Sequence, residues 1–162
     1  MANQQLATYL NNHLAASTSV LELLAQLAAS HEQRELGPFF ATLRADILTD
    51  RQQLEGLMQR LAIEENSLRQ AGAWLAEQGS RLKLHLDSPT DEALRLLEAL
   101  EIITTGLAGK RSLWQSLAVT AATVPALQGV DYPALMMRTE AQLQRVEALR
   151  LQVATAALTR ER

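Results

Sequence analysis

The sequence predicts an all-α protein, a single four-helix bundle over residues 1–162 that is built from two antiparallel helical hairpins. Apolar residues recur at alternating steps of three and four along four long segments, which is the period of a helix with one buried face. The composition is rich in Ala, Leu, Gln, Glu and Arg, with only seven Gly and four Pro. Short loops join the first and last pairs of segments, whereas the middle connection is long and suits a crossover with its own helix.

The first two segments form the first hairpin. Segment one runs from about Gln4 to Ser30, and its seam carries Leu6, Leu10, His13, Ser17, Val20, Leu24 and Leu27. Gly37-Pro38 interrupts the helical pattern. Pro suits the first turn of a helix because a backbone N–H in that turn has no helical acceptor, so nothing is lost by its absence. Segment two is therefore expected from about Pro38 to Leu61, with a seam of Phe40, Leu43, Ile47, Asp50, Leu54, Leu57 and Leu61.

The long connection and the second hairpin follow. A short crossover helix is expected from Ser67 to Gln78, with Trp74 covering a flank of the bundle or forming a partner surface. Asp87 to Glu92 combines capping side chains, an early Pro and acids, which indicates a helix start. Segment three then extends to about Ala122, with a seam of Ala93, Leu96, Leu100, Ile103, Leu107, Lys110, Trp114 and Leu117. Segment four opens at Asp131-Tyr132-Pro133 and runs to about Leu158, with Leu135, Thr139, Gln142, Val146, Leu149 and Val153 facing inward.

Composition and charge exclude several classes of function. The net charge of -3 is spread along the chain, and no basic stripe indicates nucleic acid or a membrane surface. Cys is absent, so disulfides, thiolate metal sites and cysteine nucleophiles are excluded. The first residues lack a secretory pattern, and no apolar run is long enough to span a bilayer. A cytoplasmic protein is expected.

Four stretches of the chain resemble the ferritin-like superfamily, and within it uncharacterised bacterial ferritin-like domains. They are Tyr9-Leu10-Asn11-Asn12-His13-Leu14-Ala15, Glu35-Leu36-Gly37-Pro38-Phe39-Phe40, Ala73-Trp74-Leu75-Ala76-Glu77 and Gly109-Lys110-Arg111-Ser112-Leu113-Trp114. The resemblance covers nearly the whole chain and implies a ferritin-like four-helix bundle. It also raises the question of whether the metal ligands of such bundles are present.

The ligands that the resemblance implies are largely replaced. Metal-binding ferritin-like proteins place a Glu on two helices and Glu-x-x-His on the other two. Segment two offers Asp50-Arg51-Gln52-Gln53 in the corresponding part of the helix, and segment four offers Glu140-Ala141-Gln142-Leu143. The expected Glu on segment one is replaced by Ser17 or His13, and His31 and His85 share no ligand spacing with His13. A degenerate metal site without a cofactor is the interpretation that this pattern favours.

Polar side chains instead interrupt the seams at one level. Asp50 is the only polar residue on the aliphatic seam of segment two, and a carboxylate inside a core needs a charge partner or several hydrogen bonds. Counting along the hairpins sets Asp50 opposite Ser17 or Thr18, and Lys110 opposite Gln142. One hypothesis is a buried hydrogen-bonded layer at the former metal position, formed by His13, Ser17, Asp50, Lys110 and Gln142. In the alternative, Asp50 and Lys110 lie at seam edges with their charges in water.

Two glycines stand in the middle of segment three, where each costs about 1 kcal/mol relative to Ala. Gly106 and Gly109 form a small-residue face with Thr104 and Thr105. Such a face allows close approach of a second helix, or a local break beside a cavity.

The leading functional expectation is a non-catalytic helical module, a homodimer that acts through protein–protein contacts. The competing class is a divergent metal-binding protein or di-metal oxidoreductase with iron or manganese, held by His13, Asp50, Glu101 and Glu140. A third alternative is a carrier of a small ligand in a cavity near Gly106 and Gly109.

Overall fold

The computed structural model describes residues 3–66, Glu77 and residues 92–159. Four long α-helices account for most of them: α1 (Gln4–Ser30), α2 (Leu36–Arg60), α3 (Glu92–Thr120) and α4 (Tyr132–Leu158). A short 3-10 helix, Pro125–Leu127, lies between α3 and α4. These residues contain no β-strand, so the prediction of an all-α chain with four long helices is confirmed for them. None of these helices combines the length and apolar character that crossing a membrane requires.

Local chemistry explains where the helices begin. The Asn3 side chain accepts a hydrogen bond from the Gln5 amide at 2.8 Å, and Asp131 caps α4 through the Ala134 amide at 3.0 Å. α2 begins at Leu36, so the prediction that Pro38 opens it was wrong by two residues. Pro38 lies in the first turn, where the missing N–H leaves no helical hydrogen bond unmade.

Gly37 is required by the turn that precedes α2. A Cβ atom at this position would lie 2.5 Å from the backbone oxygen of His31. The Gly37 amide donates to the Arg34 carbonyl at 3.1 Å, which closes the turn onto the start of the helix. The short loop between α1 and α2 therefore depends on the absence of a side chain here.

Side-chain contacts give the directions of the four helices. Phe40 in α2 packs against His31 just past the end of α1, whereas Asn66 beyond α2 bonds to Asn11 near the start of α1. α1 and α2 are therefore antiparallel. In the second hairpin Lys110 meets Gln142 and Glu101 meets Arg150, so α3 and α4 are antiparallel too.

The two hairpins are joined so that α2 and α3 run parallel. Arg34 pairs with Glu92, and Val20 lies against Gly106, which makes α3 antiparallel to α1. Residue 66 and residue 92 consequently lie at opposite ends of the bundle. The predicted helix Ser67–Gln78 falls between them, and of its residues the structure describes Glu77 alone, which is helical. Trp74 and most of the predicted start signal lie outside the described residues.

The core is divided into two apolar clusters along the bundle. One contains Val20, Ile47, Leu107 and Val146 with their neighbours, and the other contains Leu14, Leu54, Leu113 and Leu135 with theirs. The residues that separate the clusters on the four helices are polar: Ser17, Asp50, Lys110, Thr139 and Gln142. Buried polar groups need partners, so this middle level is where a site is expected.

Candidate functional site

Asp50 is the centre of the polar layer. It stands on the buried seam of α2, one turn after Ile47 and one turn before Leu54, and its side chain has 0% exposure. The Lys110 ammonium from α3 lies 2.5 Å from Asp50 Oδ2. The Gln142 amide nitrogen from α4 donates to the same oxygen at 2.8 Å. Three helices therefore converge on one carboxylate oxygen.

Gln142 closes this arrangement into a three-membered network. Its side chain is buried. Its carbonyl oxygen accepts a hydrogen bond from the Lys110 ammonium, and its amide nitrogen donates one to Asp50. An amide carries both a donor and an acceptor, so Gln142 satisfies the anion and the cation at once. A Glu at this position would face the Asp50 carboxylate with a second negative charge.

Arg138 supplies a second cation on the other side of Asp50. Its Nη2 atom lies 3.1 Å from Asp50 Oδ1, with a side chain that is 43% exposed. Oδ1 is buried and accepts no hydrogen bond of good geometry, so this contact is an ion pair only. The sequence signal for Arg138 was its position four residues before Gln142, on the same face of α4.

Burial governs the charge of Lys110. Removal of the ammonium from water lowers the pKa of Lys110 from its ordinary value, and the Asp50 carboxylate opposes that effect. The positive charge of Arg138 lowers the pKa of Lys110 by a smaller amount, and the negative charge of Asp46 raises it by a smaller amount. The charged form of Lys110 is thus tied to its contact with Asp50.

Ser17 belongs to a separate cluster around Arg51. Its hydroxyl donates to the Leu14 carbonyl at 2.6 Å and accepts from Arg51 Nη1 at 2.8 Å. Arg51 also donates to Thr18 Oγ1 at 2.6 Å and pairs with Glu55 at 2.6 Å. The expected hydrogen bonding of Ser17 within the Asp50 layer is therefore corrected: Ser17 lies level with Asp50, but the adjacent arginine is its partner. Sequence reasoning missed this role of Arg51.

His13 is also apart from Asp50. Its ring makes an edge contact with Tyr9 at 4.7 Å between ring centroids, and burial lowers its pKa below the ordinary 6.5. It lines the cavity that Asp50 and Lys110 also line, but no hydrogen bond joins it to either residue. The imidazole is consequently neutral at pH 7.

Acidification is expected to destabilise the protein through His13. Because the folded-state pKa is below 6.5, the unfolded state binds the proton first, and stability is lost as pH falls from 6.5 toward the folded-state value. Chemical unfolding of the wild type and of His13→Gln, compared at about pH 7.5 and about pH 5, measures this contribution. The substitution should reduce the loss on acidification, and equal losses in both proteins would contradict the assignment.

The alternative metal ligands do not come together. Glu140 pairs with Arg111 at 3.0 Å, and Glu101 lies 3.9 Å from Arg150, in contacts between the partly exposed faces of α3 and α4. Across residues 3–66 and 92–159, no three His, Asp or Glu side chains are grouped so that they could hold a metal ion. The described structure therefore does not bring His13, Asp50, Glu101 and Glu140 together into the alternative shell that the sequence offered.

A cavity of about 380 Å³ lies beside the polar layer, between α1, α2 and α3. Its walls are mainly apolar, and its polar lining includes His13, Asp50, Arg51 and Lys110. Two other lining residues, Asn12 and Thr105, are exposed, so the cavity reaches the surface between α1 and α3. The cavity and the polar layer thus share side chains.

The two glycines of α3 have different roles at this cavity. A Cβ atom at Gly106 would lie 2.6 Å from Val20 Cγ2, so this glycine allows α1 and α3 to approach closely. A Cβ atom at Gly109 would have no neighbour within 4 Å, and Gly109 lines the cavity. The sequence left close packing and a cavity as alternatives for these glycines. The structure has both, one turn apart: close packing at Gly106 and the cavity at Gly109.

Alanine substitutions at the two glycines should change the stability of the protein in opposite directions. Gly109→Ala fits open space and is expected to stabilise the protein by up to about 1 kcal/mol through helix propensity. Gly106→Ala gains the same propensity but overpacks the stiff Val20 side chain, at a cost of about 1–3 kcal/mol. Thermal unfolding measures both, with Gly56→Ala on α2 as an open-space control. A Gly106 variant as stable as the Gly109 variant would contradict the close approach.

Comparison with known proteins adds no further constraint to this geometry: no protein-family model, no curated protein and no solved structure matches the chain.

Proposed function

We propose that the chain is a non-catalytic ferritin-like bundle in which an internal ion pair stands where metal-binding bundles hold their ions. The observation that carries this proposal is the Lys110 ammonium, 2.5 Å from Asp50 at the middle of the bundle. An ammonium offers three donors and no lone pair, so it cannot be a metal ligand. Its charge also opposes the entry of a divalent cation.

Connectivity supports the ferritin-like assignment. The chain forms two antiparallel hairpins, α2 and α3 run parallel, and a single long connection links opposite ends of the bundle. One long crossover between helical hairpins is the arrangement of ferritin-like folds. The polar layer lies at mid-height, between the two apolar clusters, where such bundles build sites from inward-facing side chains.

Metal content tests the absence of a metal centre. Protein purified without a histidine tag, from cells grown with added iron and manganese, should hold far less than one metal atom per chain by elemental analysis. A stoichiometric metal that resists dialysis and disappears in Asp50→Asn would overturn the proposal in favour of a divergent metal-binding protein.

The outer face of α4 supports action through protein contacts, with a second copy of this chain as the partner. Seven exposed residues without a formal charge follow one another at alternating steps of four and three: Met137, Ala141, Gln144, Ala148, Leu151, Thr155 and Leu158. Met137, Leu151 and Leu158 are among the exposed large apolar residues of the chain, at 74%, 56% and 69% exposure. This spacing is the seam of a coiled coil, and one such stripe on each copy is self-complementary about a two-fold axis.

Light scattering on the purified protein tests the homodimer. The wild type should have twice the 17.8 kDa mass of the chain, and Leu151→Glu should shift the mass toward the monomer because a charge would enter the seam. Val119→Glu is the matched control, since Val119 is an exposed apolar residue on α3 and lies off the stripe. A monomeric wild type, or equal effects of the two substitutions, would count against this interface.

A further inference from the structure

We infer that the cavity between α1, α2 and α3 binds a small molecule with an apolar body and a single carboxylate. The inference does not depend on the dimer or on the fate of the metal site. It rests on the shape and walls of the cavity, on hydrogen-bond donors that lack partners there, and on the local balance of charge.

The cavity has the size and lining of a small-molecule site. Its volume of about 380 Å³ falls at the lower end of the range for such sites, about 300–1,000 Å³. Aliphatic side chains from all three helices form its walls, among them Val20, Ile47, Leu54, Leu107 and Leu113. Polar groups occupy a minority of the surface, which is the usual arrangement for a ligand whose body is apolar and whose head fixes its orientation.

The unused polar groups around the cavity are mainly donors. Trp114 lines the cavity with 1% exposure, and its indole N–H is buried with no hydrogen-bond partner. Lys110 donates to Asp50 and Gln142, so one of its three N–H groups has no partner among the described residues. Arg51 donates through Nε and Nη1 only, among the described residues. A ligand that accepts hydrogen bonds would satisfy these groups.

Unused acceptors are fewer. Asp50 Oδ1 is buried without a hydrogen bond, but the Arg138 guanidinium already lies 3.1 Å from it. Trp114 can only donate, so a buried indole N–H without an acceptor has a free-energy cost that a ligand oxygen would remove. The head group of the ligand is therefore an acceptor rather than an amine.

The charge balance favours an anionic head. Lys110 and Arg51 line the cavity and are paired with the carboxylates of Asp50 and Glu55. Arg138, which lies outside the lining, is a third cation at Asp50. Asp46, whose charge also acts on Lys110, is paired with Arg145. One positive charge remains uncompensated beside the cavity, and a monocarboxylate would neutralise it while accepting from the free donors.

Isothermal titration of the full chain with octanoate tests the inference, with 1-octanol and octylamine as probes of equal chain length. Octanoate should bind saturably at one site per chain, and at least tenfold more tightly than either comparison probe. Equal affinity for the three probes would overturn the carboxylate head. No heat or saturation with octanoate, confirmed by ligand-observed NMR, would overturn the site.

Two variants place the binding in this cavity. Gly109→Leu fills open space and should abolish binding, whereas Gly56→Leu places the same side chain on exposed α2 surface and should leave binding unchanged. Trp114→Phe removes the N–H and keeps an aromatic ring, so it should weaken octanoate binding about tenfold or more and 1-octanol binding less. Circular dichroism verifies that each variant is folded. Unchanged octanoate affinity in Gly109→Leu or in Trp114→Phe would contradict the location.

Discussion

Replacement of Asp50 by alanine is expected to lower the free energy of unfolding by about 3–5 kcal/mol, the range for a broken buried ion pair. The carboxylate is fully buried and is the anion that faces Lys110. Its removal leaves the ammonium with the Gln142 carbonyl oxygen as its only other side-chain partner in the described network. Urea unfolding at pH 7 measures the loss as a lower midpoint at an unchanged slope.

Asp46→Ala is the matched control for that experiment. Asp46 lies one turn before Asp50 on α2 and pairs with Arg145 on α4, but both side chains are about two-fifths exposed. Exposed ion pairs contribute about 0–1 kcal/mol, so the control should be nearly as stable as the wild type. Similar losses for Asp46→Ala and Asp50→Ala would show that the buried Asp50 network contributes no more to stability than an exposed ion pair does.

Lys110→Met should also destabilise the protein, by about 3 kcal/mol, at the lower end of the range for a broken buried pair. The carboxylate that remains is better supported than the ammonium that remains in Asp50→Ala. Asp50 keeps the Gln142 amide at 2.8 Å and Arg138 at 3.1 Å, and Met replaces the alkyl stem of Lys110 with little change in volume. In urea unfolding, Asp50→Ala should therefore have a lower free energy of unfolding than Lys110→Met. The reverse order would contradict the supporting role of Arg138.

The dependence of stability on pH gives an independent signature of Lys110. Its pKa in the folded protein is below the ordinary 10.5, chiefly because of burial, so in that window the unfolded state binds more protons. The contribution of Lys110 to stability therefore rises as pH increases through the folded-state pKa toward 10.5. Lys110→Met should lack this rise. In Asp50→Ala the rise should begin at lower pH, because the carboxylate that favours the charged form is gone.

Selective labelling makes the Lys110 pKa directly measurable. The chain has only two lysines, Lys83 and Lys110, so a protein with ¹³C-labelled lysine gives two sets of side-chain signals, which Lys110→Met assigns. Titration should place the Lys110 pKa below the ordinary 10.5. A Lys110 that titrates as an ordinary exposed lysine would contradict its burial.

Sequence periodicity accounts for most of the helical framework. The seam of α2, from Phe40 to Leu61, is buried at each predicted position because a strict alternation of steps leaves one face for the core. Counting from the short loops also gave the level of Asp50 opposite Ser17 and of Lys110 opposite Gln142, since a short loop sets the offset of its two helices. The start of α2 was misplaced because Pro38 is tolerated throughout the first turn.

The remaining features depend on contacts that no local pattern encodes. The offset of one hairpin against the other decides whether Lys110 reaches Asp50, and it is set by packing such as that of Val20 against Gly106. Long side chains pose a related difficulty. Arg51 and Arg138 read as ordinary surface cations, yet one bonds to α1 and the other reaches the buried carboxylate of α2.

A double-mutant cycle on Asp50 and Lys110 tests most directly whether the two charges depend on each other for stability. Unfolding free energies would be measured for the wild type, Asp50→Ala, Lys110→Met and the double variant. Mutual dependence predicts that the double variant is no less stable than Asp50→Ala alone, because deletion of the second charge removes the unpaired ammonium. Losses that simply add would show that the two groups do not compensate each other, and the charges of Asp50 and Lys110 would then not be coupled at the middle of this bundle.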